Sequence, residues 1–169
     1  MEDVARRYPV AGVHLDFVRW YEGAAKPPDA ARTVTDFVSA ARRRVKAARP
    51  GAWLTAATLA TYPSCVTSVG QDWERWIAKG IVDYVVPMNY VEDGRRYAAL
   101  MARQGRTPAQ ARRVISGLGV TANESRLGPV KVIDQIAQAR RAGLAGVAFF
   151  DLDYTLASEI LPYLRMGMF

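Results

Sequence analysis

The sequence predicts an α/β fold, a partial (β/α)8 barrel of about five β/α units. Three observations carry that prediction. Short apolar stretches suited to strands recur at 11–17, 52–60, 82–88, 113–120 and 145–150. They begin roughly 30 to 40 residues apart, the length of one strand, one helix and their loops. Amphipathic helical patterns fill the intervals. The first stretch is followed by Trp20-Tyr21-Glu22-Gly23, not by the glycine-rich turn with which a nucleotide-binding sheet cradles phosphate. Strict strand–helix alternation with right-handed crossovers makes a parallel sheet, either open and doubly wound or part of a closed barrel. The absent phosphate turn favours the barrel. A complete barrel takes about 250 residues, so the 169 residues here read as a single, incomplete barrel domain over 1–169. No internal repeat would let two copies complete it.

In the first strand stretch, AGVHLDF, side chains alternate between faces. Val13, Leu15 and Phe17 therefore share one face, and His14, Asp16 and Val18 share the other. An ordinary half-buried strand leaves such a polar set in water. A barrel strand can instead carry it inward, toward the carboxyl end where barrel enzymes do their chemistry. Over 29–48, Val34, Phe37, Val38, Ala41 and Val45 form a stripe at three- and four-residue spacing, the core face of a helix. The stretch 70–79, GQDWERWIAK, places Trp73, Trp76 and Ile77 on one helix face and stops at Gly80. Tryptophans at that spacing read as core before they read as a sugar platform. The segment 94–104 is a short basic helix. The segment 128–142 opens at Gly128-Pro129, buries Val132, Ile133, Ile136 and Ala139, and ends at Gly143, as a helix between Pro and Gly should. A last helix over 156–165 uses Leu156, Ile160, Leu161 and Leu164, despite Pro162.

Charge and cysteine content narrow the function classes. Lys and Arg number 23 against 16 Asp and Glu, a net charge of +7 at pH 7. The excess lies on helix-like stretches such as Arg42-Arg43-Arg44-Val45-Lys46 with no nucleic-acid motif beside it, so it reads as a solvated face. The lone Cys65 and lone His14 exclude an internal disulfide and any zinc site built from several cysteines or histidines. No apolar run approaches the roughly 20 residues that span a membrane. No metal or organic cofactor is implied.

The strings GVHLDFVRW, QDWERWIAKGIVDYVVPMNY, ISGLGV and GVAFFDLDY, in that order, resemble the carboxyl half of the glycosyl-hydrolase-like family ten barrels. In that bacterial family the fourth strand reads like DGIHLDYIRYP and the sixth like VDxVxPMxY. The resemblance runs from about Val10 to Phe150 and implies that the strands here are strands four to eight. It also implies action on polysaccharide, with one branch hydrolysing peptidoglycan glycan strands, and export to the periplasm or exterior. Strands one to three, and any signal peptide ahead of them, have no counterpart. The expectation is a fragment, a misassigned start or a degenerate relic, with MEDVARRYPVAG as the tail of a third helix. A more distant resemblance is to the chitinase-like family-eighteen barrels, where His14 and Asp16 fall on two motif aspartates. Val18 falls on the catalytic glutamate, and Met88 and Tyr90 match the MxY.

Asp16 is the leading catalytic candidate, because a carboxylate can stabilise an oxocarbenium-like state, attack the sugar or activate water. A structural pairing with Arg19 or a backbone amide is the competing reading. His14, two positions back, can orient Asp16, bind a sugar hydroxyl or sit as a satisfied core histidine. Arg19 can clamp a sugar carboxylate or hold Asp16 ionised. Trp20 can stack on a sugar ring or cover the rim. Tyr90 is the second catalytic candidate, projecting inward together with Met88. Asn89 then points away and either caps a loop or contacts substrate. Asp151 and Asp153 alternate with Phe149 and are further substrate contacts; Glu92, Asp93 and Glu124 are the other carboxylates near strand ends. Asp83, at the start of its strand, reads as structural. Gly117 and Gly119 mark close approach of something to the backbone.

The function expected is therefore a glycoside hydrolase-like protein acting on a bacterial cell-wall or related polysaccharide. The alternative is a non-catalytic carbohydrate-binding or degenerate barrel remnant. Open sheet edges would also favour self-association.

Overall fold

The computed structural model describes residues 1–16 and 27–166. Five strands form one sheet in the order β1-β2-β3-β4-β5: β1 Gly12–Asp16, β2 Trp53–Leu59, β3 Tyr84–Met88, β4 Ile115–Gly119 and β5 Gly146–Phe150. The sheet is parallel and helices occupy the connections, so the fold is α/β with the strand order of a partial (β/α) barrel. The chain divides into two compact units, Met1–Val86 and Pro87–Phe169, the boundary falling inside β3.

In the first unit, α1 (Glu2–Arg7) and α2 (Ala30–Ala48) precede β2, and α3 (Ser64–Val69) and α4 (Trp73–Ala78) follow it. The α2 stripe forms as its spacing predicts: Val34, Val38, Ala41 and Val45 are buried. Phe37 departs from the expected stripe and stands about half exposed. It sits at the margin of the apolar arc, where a large side chain reaches solvent before it reaches the core. The Arg49 guanidinium donates to the carbonyls of Ala5 and Tyr8 at 3.0 and 2.9 Å, tying the end of α1 to the end of α2.

The expected helix over 70–79 is shorter and has a neighbour. Gly70 ends α3 with φ +77°, and a Cβ there would stand 2.6 Å from the Ala30 carbonyl oxygen. Only glycine meets both demands. Asp72 then starts α4, its carboxylate accepting from the Tyr62 hydroxyl at 3.1 Å. Trp73 and Trp76 are wholly buried, and the Trp76 indole donates to Thr35 Oγ1 on α2 at 2.9 Å. Asp83 is structural, as read. It accepts from Leu54 N at 2.8 Å and pairs with Arg42 and Lys46 at 3.4 and 3.5 Å. Burial pushes its carboxyl pKa up, but the amide and the two cations outweigh that and hold it below the usual value.

In the second unit, α5 (Gly94–Gln104), α6 (Pro108–Ala111) and α7 (Pro129–Arg141) accompany β4 and β5. Val132, Ile136 and Ala139 of α7 pack with Tyr97, Met101, Leu118, Ile160 and Leu164, with Val147 and Phe149 of β5 against them. The closing helix is not uniform. It is π-helical over Leu156–Ile160 and becomes α8 at Leu161–Arg165, with Pro162 in the first turn. Proline removes a donor and crowds the carbonyl four residues back, so the ladder widens before it.

Two phenols are predicted to ionise late. Burial is the first cause for both, and it lifts Tyr62 and Tyr97 from 10.0 to about 12. Asp72 adds to the rise at Tyr62, whereas the Ser116 hydrogen bond partly opposes it at Tyr97. A folded pKa above the unfolded one stabilises the fold below the unfolded value and loses that contribution as pH rises through the folded value. The window is therefore from about 10 to about 12. Ultraviolet titration should show the Tyr62 and Tyr97 phenols ionising only near the upper limit, and Tyr97→Phe should remove one of these late ionisations.

Candidate functional site

β1 and β2 pair with His14 opposite Thr55 and Asp16 opposite Ala57. Alternation along β1 buries Leu15 on one side and exposes His14 and Asp16 on the other, as expected for a strand with one covered face. Asp16 ends the strand. Among the described residues no hydrogen bond or ion pair of its carboxylate is seen, and Arg19, the partner of the competing structural reading, lies outside them. His14 Nδ1 lies 2.7 Å from Thr55 Oγ1. Partial burial of the ring lowers the His14 pKa, and the Asp16 charge pulls it back up, with burial the larger effect. The imidazole is therefore neutral at neutral pH. Arg19 and Trp20, the other candidates from this stretch, lie outside the described residues.

In the second unit the carboxyl ends of β3, β4 and β5 form a rim. Tyr90 stacks on Phe150 with ring centroids 5.4 Å apart and planes at 25°. Gly119, the register partner of Phe150, makes room for that stack. A Cβ on Gly119 would come within 2.8 Å of the Tyr90 ring and closer still to Ser125 Oγ. The close approach marked in the sequence is thus the seat of Tyr90. Ser125 fixes the turn by donating to the Gly119 carbonyl at 2.7 Å. Tyr90 is half-buried, and Phe150 is 46% exposed, so the stack presents part of an aromatic surface to solvent.

The carboxylates of this rim are held apart by different duties. Asp151 is exposed and accepts from the Thr121 hydroxyl at 2.9 Å. Asp153 accepts from Leu156 N at 2.8 Å and caps the closing helix. Glu92 accepts from Arg126 N at 2.8 Å and from Lys131 at 3.2 Å. Those hydrogen bonds lower the pKa of Glu92 (the Arg126 amide first) and of Asp153 (the Leu156 amide first). Neither carboxyl is disposed to keep a proton at neutral pH.

Asn89 lies elsewhere than a substrate contact would. It is wholly buried, and it exchanges amide hydrogen bonds with Gln104 at 3.0 and 2.7 Å and donates to Ser116 Oγ at 2.8 Å. Its neighbour Tyr90, two residues past the end of β3, reaches Phe150 at the rim. Among the described residues no group of three His, Cys, Asp or Glu is placed to hold a metal ion.

The sequence reading missed Thr55 and Phe150. Thr55 lies in a different strand from His14, and only the register of two parallel strands brings them together. Phe150 reads as one more apolar residue until Tyr90 lies on it. The fold and these strand ends define an α/β protein of consecutive β/α units with polar and aromatic groups at the carboxyl ends of its strands. No family model matches the chain, and no curated protein matches it either. Among the described residues no helix is long and apolar enough to cross a membrane.

Proposed function

We propose that the chain is part of a glycoside-hydrolase-like barrel that acts on a bacterial cell-wall or related polysaccharide. The observation that carries this reading is Asp16, an exposed carboxylate at the carboxyl end of a parallel strand, beside a neutral histidine. Strand ends of that kind are where barrel enzymes place reacting groups. A carboxylate there can stabilise an oxocarbenium-like state, form a glycosyl ester or activate water. In the second unit, the partly exposed Tyr90–Phe150 stack suits the apolar face of a sugar ring. The resemblance of HLD, PMNY and their neighbours to the glycosyl-hydrolase-like family ten supports the same substrate class and an exported location.

A second reading, carbohydrate binding without cleavage, is favoured by Glu92 and Asp153. Glycosidic cleavage needs a carboxylic acid that keeps its proton near neutrality, with a raised pKa. The shifts at Glu92 and Asp153 run the other way. One experiment separates the two readings. The protein is incubated with denuded peptidoglycan glycan strands, and both new reducing ends and protein retained on the washed glycan are measured. Hydrolysis raises the reducing-end count with time. Binding alone retains protein without that rise, and neither release nor retention overturns both readings.

A further inference from the structure

We propose that Thr55 is a positioning residue whose hydroxyl donates to His14 Nδ1. It thereby fixes the imidazole in the tautomer with its proton on Nε2, as a neutral donor to a sugar hydroxyl beside the Asp16 acceptor. The substrate part of this inference rests on the glycan reading above, and the tautomer part does not. Three observations support it. Thr55 is the register partner of His14 on the neighbouring strand, so both side chains leave the same face of the sheet. The Oγ1–Nδ1 separation of 2.7 Å is a short hydrogen bond. Asp16 follows two residues later on that face, its carboxylate without a partner among the described residues.

The electrostatics fix the charge of the ring, and the tautomer then sets which atom donates. A threonine hydroxyl can donate or accept, whereas Nδ1 of an imidazolium can only donate. Burial disfavours the imidazolium, so the ring is neutral at pH 7 and one nitrogen accepts. If Nδ1 accepts from Thr55, Nε2 carries the proton. Among the described residues the charge acting on the ring is that of Asp16. β2, the strand paired with β1, reads WLTAATL and contributes no titratable side chain. A neutral N–H donor close to a carboxylate acceptor matches a hydroxyl that accepts from one and donates to the other. Sugar hydroxyls have that dual character.

His14 is the chain's sole histidine, so its ring nitrogens can be read by long-range proton–nitrogen NMR without assignment mutants. In the wild-type protein at neutral pH, Nδ1 should show the shift of an unprotonated nitrogen and Nε2 that of a protonated one. Thr55→Val keeps the shape but removes the donor. It should mix the tautomers and raise the His14 pKa by about half a unit, because the lost bond favoured the neutral form. Thr55→Ser should restore the wild-type spectrum, which a purely packing role for the methyl group would not predict. A wild-type ring protonated on Nδ1, or a Thr55→Val spectrum indistinguishable from wild type in a folded protein, overturns the proposal. Retention on denuded glycan strands is measured in parallel. A several-fold loss in Thr55→Val, rescued in Thr55→Ser, supports the sugar assignment. Unchanged retention in Thr55→Val overturns that assignment. Failure of wild-type retention removes the glycan reading and leaves the NMR result to decide the positioning role.

Discussion

Asp16→Asn is expected to lower the release of reducing ends from glycan strands about a thousandfold, the scale on which a preorganised electrostatic group acts. Retention on the glycan should stay within a few-fold of wild type. Asparagine keeps the shape and the hydrogen-bonding reach of the side chain and removes the charge. The charge is what a positive sugar centre needs in the transition state and what a resting sugar does not. The loss therefore belongs in turnover and not in binding. Asp16 is exposed at a strand end, so thermal melting should be unchanged, which separates a chemical effect from unfolding. A second readout fixes the sign of the local field. The Asp16 charge raises the His14 pKa against burial, so removing it should move the His14 titration to lower pH. Full activity in Asp16→Asn would end the hydrolase reading at this residue. An unmoved histidine would show that the two groups do not share a field.

Much of this architecture is legible in the sequence, because its determinants are local. The strand stretches at 11–17, 52–60, 82–88, 113–120 and 145–150 contain the five strands. Their apolar, β-branched composition and the glycines and prolines between them are one-dimensional signals. The core face of α2 and the burial of Trp73 and Trp76 follow from helical spacing in the same way. What failed to show has a non-local cause. The six residues of α3, SCVTSV, carry two valines and a threonine and no stripe. Their helix is set by the Gly70 cap against Ala30, an element more than thirty positions upstream in the chain. Phe37 fits the apolar period of α2 yet faces solvent, since period alone does not say how wide the covered arc is.

At the candidate site the same division holds. Alternation is enough to put His14 and Asp16 on one face of β1. It does not reveal that Thr55 lies against His14, nor that Asp153 serves a helix end and Glu92 a backbone amide. Those partners come from neighbouring strands and following loops. An aspartate three positions beyond a strand, as Asp153 is beyond β5, reads equally as a reacting group or a helix cap until its acceptor geometry is known.

Asn89→Leu should destabilise the fold by about 3 kcal/mol, from stranding buried polar groups that a leucine cannot satisfy. Asn89, Gln104, Ser116 and Tyr97 are all wholly buried. The Asn89 amide donates to Gln104 Oε1 and Ser116 Oγ and accepts from Gln104 Nε2, and Tyr97 shares the Ser116 hydroxyl at 2.8 Å. Leucine has nearly the volume of asparagine's side chain plus a methyl group, so the cost arises from lost partners more than from shape. The double variant Asn89→Leu with Gln104→Leu should therefore cost less than the sum of the single variants, because neither apolar side chain then leaves an amide facing a void of partners. Urea unfolding of the four proteins measures this directly. Additive losses, or a loss below about 1 kcal/mol for Asn89→Leu, would show that the network contributes little. The consequence reaches the rim as well. Asn89 N donates to the Gly117 carbonyl at 2.9 Å, so the network and this bond together hold the residue immediately before Tyr90. Loosening them should disturb the Tyr90–Phe150 stack and weaken glycan retention even at temperatures where the protein remains folded.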